Sequence, residues 1–236
     1  MARTINHEEY ALKRGEILDV VRRLIYTKGY EQMTLQDVLN ELRISKGAFY
    51  HYFDSKQALL EALIERMMEE AEGFIRPIVD DPHLTAVEKF HRFISAISVW
   101  KLTQKAFVVA LLRVWFADDN AVVRQKVNGR LYRQIAPHFT QIAAQGLREG
   151  AFTTDHADHA GDVILSMMAG LQNTIGAVLF DSQQSADVEA KTARLVGLYD
   201  AYMDGMERIL GASPGSLPRI DADTVRAWID ALDNPA

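Results

Sequence analysis

Apolar residues recur along this chain at the three- and four-residue spacing of amphipathic helices, and the alternating pattern of strands is missing. The first such stretch, residues 7–28, precedes a glycine stop and has one apolar face: Ile17, Val20, Val21, Leu24 and Ile25. Beyond residue 80, turn-rich segments separate further predicted helices at 85–101, 103–117, 121–148, 155–180, 187–210 and 221–232. The pattern therefore predicts an all-α protein.

Two short helices are predicted between these longer ones, close to the N-terminus. Thr34 and Asp37 have the spacing of a capping box, in which each residue satisfies a backbone donor of the other. Ser45 is in position to cap a second helix, which leaves Leu42 to Ser45 for the turn. Such a pair is typical of a helix-turn-helix, whose second helix enters the DNA major groove.

The second short helix, predicted over residues 46–52, carries side chains suited to DNA. Lys46 can bind a phosphate or a guanine, and the small residues Gly47 and Ala48 allow close approach of the backbone. Tyr50, His51 and Tyr52 offer hydrogen-bonding tips. The next helix starts near Lys56, where its charge and free backbone amides suit a phosphate. The alternative is a surface helix with ordinary aromatic residues.

Residues 34–60, with S-K-G-A-F-Y-H-Y-F-x-S-K at their centre, resemble the DNA-binding domain of TetR-family transcriptional regulators. The chain departs from the family pattern at Leu39, where alanine is usual, and at Leu42 and Arg43, where a small residue and glycine are usual. If Arg43 adopts a positive φ, a residue other than glycine makes the turn modestly less favourable.

The resemblance implies roles for particular side chains. Lys46 and Tyr50 would lie nearest the bases, Gln36 would reach a base edge, and Thr34, Tyr52 and Lys56 would hold phosphates. It also implies a DNA-binding domain over residues 1–54 and a helical ligand-binding and dimerisation domain over residues 55–236. A helix starting at residue 54 or 55 and ending before Pro77 would join the two.

Composition adds limits on partners and location. The net charge is −6, divided as +1 over residues 1–60 and −7 over the remainder, so a DNA-binding tip would stand on an acidic body. The absence of cysteine excludes disulfides and thiolate metal sites. A membrane-spanning helix needs about eighteen or more uncharged apolar residues, and no such stretch is expected in this chain. We therefore predict a soluble cytoplasmic protein without a membrane partner.

Motifs for catalysis or metal binding are weak. The chain has no G-x-S-x-G, no phosphate-binding glycine loop and no H-E-x-x-H. His156 and His159 stand in a D-H-A-D-H segment, which a polar opening turn of a helix explains as well as a metal site does. We therefore predict no enzyme, no cofactor and no metal site.

The helices between residues 84 and 139 mix bulky apolar residues with a few polar ones, as a ligand pocket does. A filled core explains the same mixture. The residues predicted to bind a ligand, a mostly apolar small molecule, are Met67, His91, Ile94, Trp115 and Asn173.

Two late helices, 155–180 and 187–210, have apolar faces wider than one neighbour requires. Pairing of two helices from each subunit in a four-helix bundle would bury them, as the resemblance implies, whereas packing within one chain is the alternative. The predicted dimer contacts are Ile164, Met168, Leu171, Ile175, Leu198, Tyr202 and Met206.

The resulting hypothesis is a homodimeric repressor that binds a pseudo-palindromic operator and is released by a small, mostly apolar effector. The alternatives are a transcriptional activator of the same architecture, and an all-α small-molecule-binding protein or enzyme with a vestigial DNA-binding unit.

Overall fold

A computed structural model describes residues 7–116, 121–180 and 187–233. These residues form helices and no strand, which confirms the predicted all-α class. The helices are α1 (His7–Lys28), α2 (Leu35–Leu42), α3 (Lys46–Tyr50), α4 (Lys56–Asp80), α5 (Ala86–Thr103), α6 (Lys105–Phe116), α7 (Ala121–Glu149), α8 (Ala160–Phe180), α9 (Val188–Leu210) and α10 (Ala222–Asp233).

The chain divides into two compact units. Unit 1 comprises Met1–Glu69 and Gln104–Val127, and unit 2 comprises Glu70–Thr103 and Asn128–Ala236. Unit 1 therefore contains the first turns of α4, all of α6 and the start of α7, in addition to α1, α2 and α3. The expected boundary between residues 54 and 55 divides the chain differently and stays a prediction.

Unit 1 has a core built around α1. Ile17, Val21 and Ile25 on α1 are completely buried, as are Val38 on α2 and Phe49 on α3. Both α2 and α6 pack against α1. The apolar face predicted from the spacing of α1 is thus the face that the unit buries, and it fixes the short helices that follow.

The turn after α2 contains Arg43, where the sequence departs from the usual glycine. Arg43 has φ 53° and ψ 42°, in the left-handed region. Its N–H donates to the carbonyl of Asn40, and the N–H of Ile44 donates to that of Leu39 at 3.1 Å, which together form a Schellman motif. Arg43 thus has the positive φ considered in the sequence analysis. For a residue other than glycine, this backbone conformation is less favourable by roughly 1–2 kcal/mol.

The expectation that α4 ends before Pro77 is wrong, because the helix continues to Asp80. Proline removes a backbone donor and crowds the carbonyl four residues earlier, here that of Gly73. Pro77 and Gly73 are both exposed, so water can satisfy the carbonyl that loses its helical partner. Pro137 is tolerated inside α7 and is also exposed.

Unit 2 has its own apolar core. The rings of Phe90 and Phe93 on α5 pack on Phe139 of α7, with centroids 5.4 and 4.5 Å apart. The helices α8 and α9 pack closely, since a Cβ added at Gly170 would lie 3.1 Å from the hydroxyl of Tyr202. The helix α9 also packs against α10.

The start of α8 differs from the expected one at residue 155. A short 3-10 helix spans Ala157–His159, and α8 begins at Ala160. Together, residues 157–180 are long and apolar enough by composition to cross a membrane, contrary to the sequence expectation, because residues 163–180 carry no charge. One such helix is weak evidence for a membrane, since a core helix passes the same test.

A buried carboxylate organises the loop between α9 and α10. Glu207 is only 3% exposed and accepts hydrogen bonds from the backbone N–H groups of Gly215 and Leu217 at 3.0 and 2.9 Å. The guanidinium of Arg219 lies 3.0 Å from both carboxylate oxygens. These donors supply the hydrogen bonds that a buried carboxylate needs. If the carboxylate of Glu207 were removed, the donors would be left without a partner.

Glu207→Ala is therefore expected to lower the free energy of unfolding by about 3 kcal/mol, since it leaves two backbone donors and a guanidinium unpaired. Urea denaturation followed by circular dichroism measures the change. Glu189→Ala is the control, because Glu189 lies on the same helix and contacts Arg226 in an exposed ion pair. Equal losses from the two variants would contradict this role of Glu207.

Candidate nucleic-acid interface

The start of α2 is capped as the sequence predicts. The side-chain oxygen of Thr34 accepts from the N–H of Asp37 at 3.1 Å, and the carboxylate of Asp37 accepts from the N–H of Thr34 at 2.9 Å. The ammonium of Lys28 lies 2.7 Å from the same carboxylate. These hydrogen bonds, that from Lys28 first and those from Thr34 second, lower the pKa of Asp37 to about 2.

The second short helix, α3, ends at Tyr50 and not at residue 52 as expected. The hydroxyl of Ser45 caps it by accepting from the N–H of Ala48 at 3.1 Å. Phe49 is its one completely buried residue and anchors it to the core of unit 1. The candidates exposed along α3 are Lys46, Gly47, Ala48 and Tyr50.

The aromatic residues after α3 pack against α1. The ring of Tyr52 lies 4.9 Å from that of Tyr10, and the ring of His51 lies 5.6 Å from it in an edge-on arrangement. His51 stays exposed and Tyr52 is half-buried. Of the two, His51 thus has the more accessible side chain.

Lys56 is held close to the protein surface. Its ammonium donates to the carbonyl of Glu31 at 3.2 Å and lies 4.3 Å from the ring centroid of Tyr30. Burial lowers the pKa of Lys56, and burial followed by the charge of Glu31 raises the pKa of Tyr30 to about 12. A phosphate contact by Lys56 would have to form from this half-buried position.

The remaining candidates are exposed. Thr34 and Gln36 stand at the start of α2, where the amide of Gln36 donates to Asn40 at 2.7 Å. The ammonium of Lys46 lies 5.9 Å from the ring centroid of Tyr50, one turn further along α3. The structure thus brings Lys46 and Tyr50 together, and every DNA-contact role stays a prediction.

The five predicted ligand-binding residues fall in both units. Met67 and Trp115 belong to unit 1, where each is half-buried. In unit 2, Ile94 packs against the core, Asn173 is exposed, and Nε2 of His91 lies 2.7 Å from the carbonyl of Ser216. Their common role in a pocket stays a prediction.

An open groove of about 610 Å³ lies along α7 in unit 2. Its lining mixes small apolar and polar side chains: Tyr132, Arg133, Ala136, Pro137, Thr140, Gln141, Ala144 and Asp162. None of the five ligand candidates lines this groove. It is open to solvent, unlike the enclosed apolar sites that hold most small ligands.

The predicted dimer contacts are largely engaged within the chain. Ile164, Leu171 and Met206 are buried in the core of unit 2, which leaves them little surface for a partner. The other four are half-buried against that core: Met168, Ile175, Leu198 and Tyr202. Contact of these residues with a second copy stays a prediction.

The D-H-A-D-H segment has an ordinary structural role. His156 donates its N–H to the hydroxyl of Thr154 at 3.2 Å, and the N–H of His159 donates to the carbonyl of His156 at 3.0 Å. Among the described residues, no group of three or more acidic or histidine side chains could hold a metal ion.

Two residues near the short helices were missed as candidates. Tyr10 contacts Tyr52 only because α1 folds back on the end of α3, which no local pattern reports. Arg43 is exposed, whereas the prediction from the sequence concerned only its backbone conformation. Its positive charge three residues before Lys46 was the signal that could have identified it.

The capped α2, the three-residue turn at 43–45 and the exposed α3 define a helix-turn-helix DNA-binding protein. A family model described as "Bacterial regulatory proteins, tetR family" matches residues 17–63. The chain is 30% identical over 153 residues to the transcriptional repressor KstR2 of Rhodococcus jostii, covering 61% of this chain and 69% of that protein. The chain belongs to the TetR family of transcriptional regulators.

Other comparisons agree with this assignment. The chain is 26% identical over 203 residues to the uncharacterised transcriptional regulator YerO of Bacillus subtilis, covering 83% of this chain and 66% of that one. A solved transcriptional regulator from Cytophaga hutchinsonii has a similar fold, with a TM-score of 0.60 at 14% identity over 84% of this chain and 98% of that one. These relatives are named as regulators and not as enzymes.

The depressed pKa of Asp37 predicts a pH dependence. Because the folded value of about 2 lies below the ordinary value of 3.8, the ionised carboxylate stabilises the fold above about pH 4, and this contribution is lost as the pH falls towards 2. Lys28→Met should raise the pKa of Asp37, as measured by NMR titration of its carboxyl carbon. Lys13→Met, which removes a charge paired with Glu16, should leave it unchanged.

Proposed function

We propose that this protein is a homodimeric, ligand-responsive repressor that binds a pseudo-palindromic operator in the cytoplasm. The observation that carries the proposal is the exposed surface of α3, where Lys46 and Tyr50 project from a helix fixed by the buried Phe49. A rigid support with a cation and a phenol at its surface suits contacts to base edges and phosphates.

The distribution of charge supports a local mode of DNA binding. The chain carries a net charge of −6, so a general attraction to DNA is weak. Affinity would then come from two copies of the helix-turn-helix on two half-sites, about 34–36 Å apart along the duplex. The acidic remainder would reduce binding elsewhere.

Repression is proposed because two relatives are named as repressors. Release by an effector is proposed with a requirement on its affinity for the two conformations of the protein. KstR2 and the class C tetracycline repressor, 27% identical over 181 residues, are both named as repressors. An effector releases DNA only if it binds the non-binding conformation better, and a tenfold preference supplies only about 1.4 kcal/mol. Met67, His91, Ile94, Trp115 and Asn173 remain the proposed ligand contacts.

Dimerisation through α8 and α9 is supported by exposed stripes of small residues. One stripe runs along α9, through Ala190, Ala193, Gly197 and Ala201, and the other along α8, through Ser166 and Ala177. Small side chains let helices approach closely, as pairing with a second copy requires. The half-buried Met168, Ile175, Leu198 and Tyr202 would contribute from the edges of these stripes.

Lys46→Ala and Tyr50→Ala are each expected to weaken binding about 10- to 100-fold for each bound subunit, the range for loss of a base contact. The measurement is fluorescence anisotropy with a duplex that the wild-type protein enriches from a random pool. Lys126→Ala is the control, because this exposed lysine of the same unit is paired with Glu61. Full binding by both variants, or no enriched duplex, would refute the proposal.

Gly197→Leu tests the dimer. A Cβ at Gly197 meets no atom within 4 Å, so the substitution fits the single chain but would hold a second copy away. We expect the variant to sediment as a monomer of unchanged helix content. Gly73→Leu, at an equally open and exposed glycine of α4, should leave the dimer intact. An unchanged dimer with Gly197→Leu would exclude close pairing at this stripe.

A further inference from the structure

The turn between α2 and α3 contains a residue that is unfavourable for its backbone conformation. Gly29, Gly150 and Gly211, which follow α1, α7 and α9, all have positive φ. Arg43 has the same conformation after α2, and among the described residues it is the non-glycine residue that does. A strained position occupied by a long cationic side chain suggests a role for that side chain.

Arg43 differs from most exposed cations of unit 1 in having no carboxylate partner among the described residues. The other exposed cations of unit 1 with a described side chain are nearly all paired with carboxylates: Arg23 with Glu41, Lys28 with Asp37, and Lys126 with Glu61. Arg43 and Lys46 are exposed, and neither contacts a carboxylate in the described part of this unit. Among the exposed cations of this unit that the structure describes, these two are the ones without a carboxylate partner.

Arg43 also has a suitable position. It lies three residues before Lys46, the first residue of α3, in the turn that leads into the proposed DNA-reading helix. Guanidinium groups bind phosphate with two parallel hydrogen bonds and cannot lose their charge near neutral pH. Phosphate contacts fix the orientation of a recognition helix without reading sequence.

We propose that Arg43 binds a DNA backbone phosphate and so positions α3, in addition to the contacts of the helices themselves. The inference rests on the proposed binding of DNA through α2 and α3. A structural alternative is that the positive charge only stabilises the C-terminal end of α2 through the helix dipole. The two explanations differ in their effect on the salt dependence of binding.

The test measures affinity for the enriched duplex and for a scrambled duplex between about 50 and 200 mM salt, the range in which phosphate contacts dominate the change. Arg43→Asn removes the charge and keeps a residue that tolerates positive φ, and Arg43→Gly removes both charge and strain. We expect the slope of log K against log salt to become shallower by about 0.9 for each bound subunit.

At 0.1 M salt this slope corresponds to about an eightfold loss of affinity per contact, or about sixtyfold for a dimer. Both duplexes should lose affinity by the same factor, because a phosphate contact is independent of sequence. Arg43→Lys should retain most of the slope. Arg92→Asn, which removes an exposed charge from α5 in unit 2, should retain it completely.

Thermal unfolding distinguishes the structural alternative. On the proposal, Arg43→Gly melts no lower than the wild type, since glycine relieves the left-handed backbone. An unchanged slope in Arg43→Asn, with or without a lower melting temperature, would overturn the inference. If Lys46→Ala also leaves binding unchanged, the failure lies in the proposed function, and if it weakens binding, the failure lies with Arg43 alone.

Discussion

The two helices of the helix-turn-helix are too short to be stable alone, since isolated helices need about 12–15 residues even for favourable sequences. Here α2 has eight residues and α3 has five. Their geometry therefore depends on burial of Val38 and Phe49, on packing of α2 against α1, and on the caps supplied by Thr34 and Ser45. The proposed DNA contacts on α2 and α3 are held in place by these few interactions, because the two helices would not be stable alone.

Charge is used differently in the two units. In the part of unit 1 that the structure describes, ion pairs occupy most of the exposed cations. The exposed cations without a carboxylate partner there, Arg43 and Lys46, stand at the turn and on α3. In unit 2, Glu207 and Arg219 are engaged in ordering the loop before α10, where a buried charge needs several donors. The position of a charge, more than the net charge of the chain, thus decides whether it is free to meet a partner.

Local patterns predicted the elements whose causes are local. The capping box, the serine cap and the positive φ considered for Arg43 follow from residues within a few positions of one another, and the structure shows all three. Local patterns did not predict the path of α4 beyond Pro77 or the start of α8 at Ala160. The first depends on which side of the helix faces water, which is a property of the packed chain.

By itself, the sequence determined the all-α class, the family and the capped helix-turn-helix, because periodicity, capping and turn conformation act over short distances. The tertiary structure decided which neighbour each apolar helix face packs against. It placed α6 in unit 1 against α1, and it buried Ile164 and Met206 within the chain, although their spacing suits a dimer face equally well. Hydrophobic burial is non-directional, so the spacing of apolar residues shows that a face is buried but not which neighbour covers it.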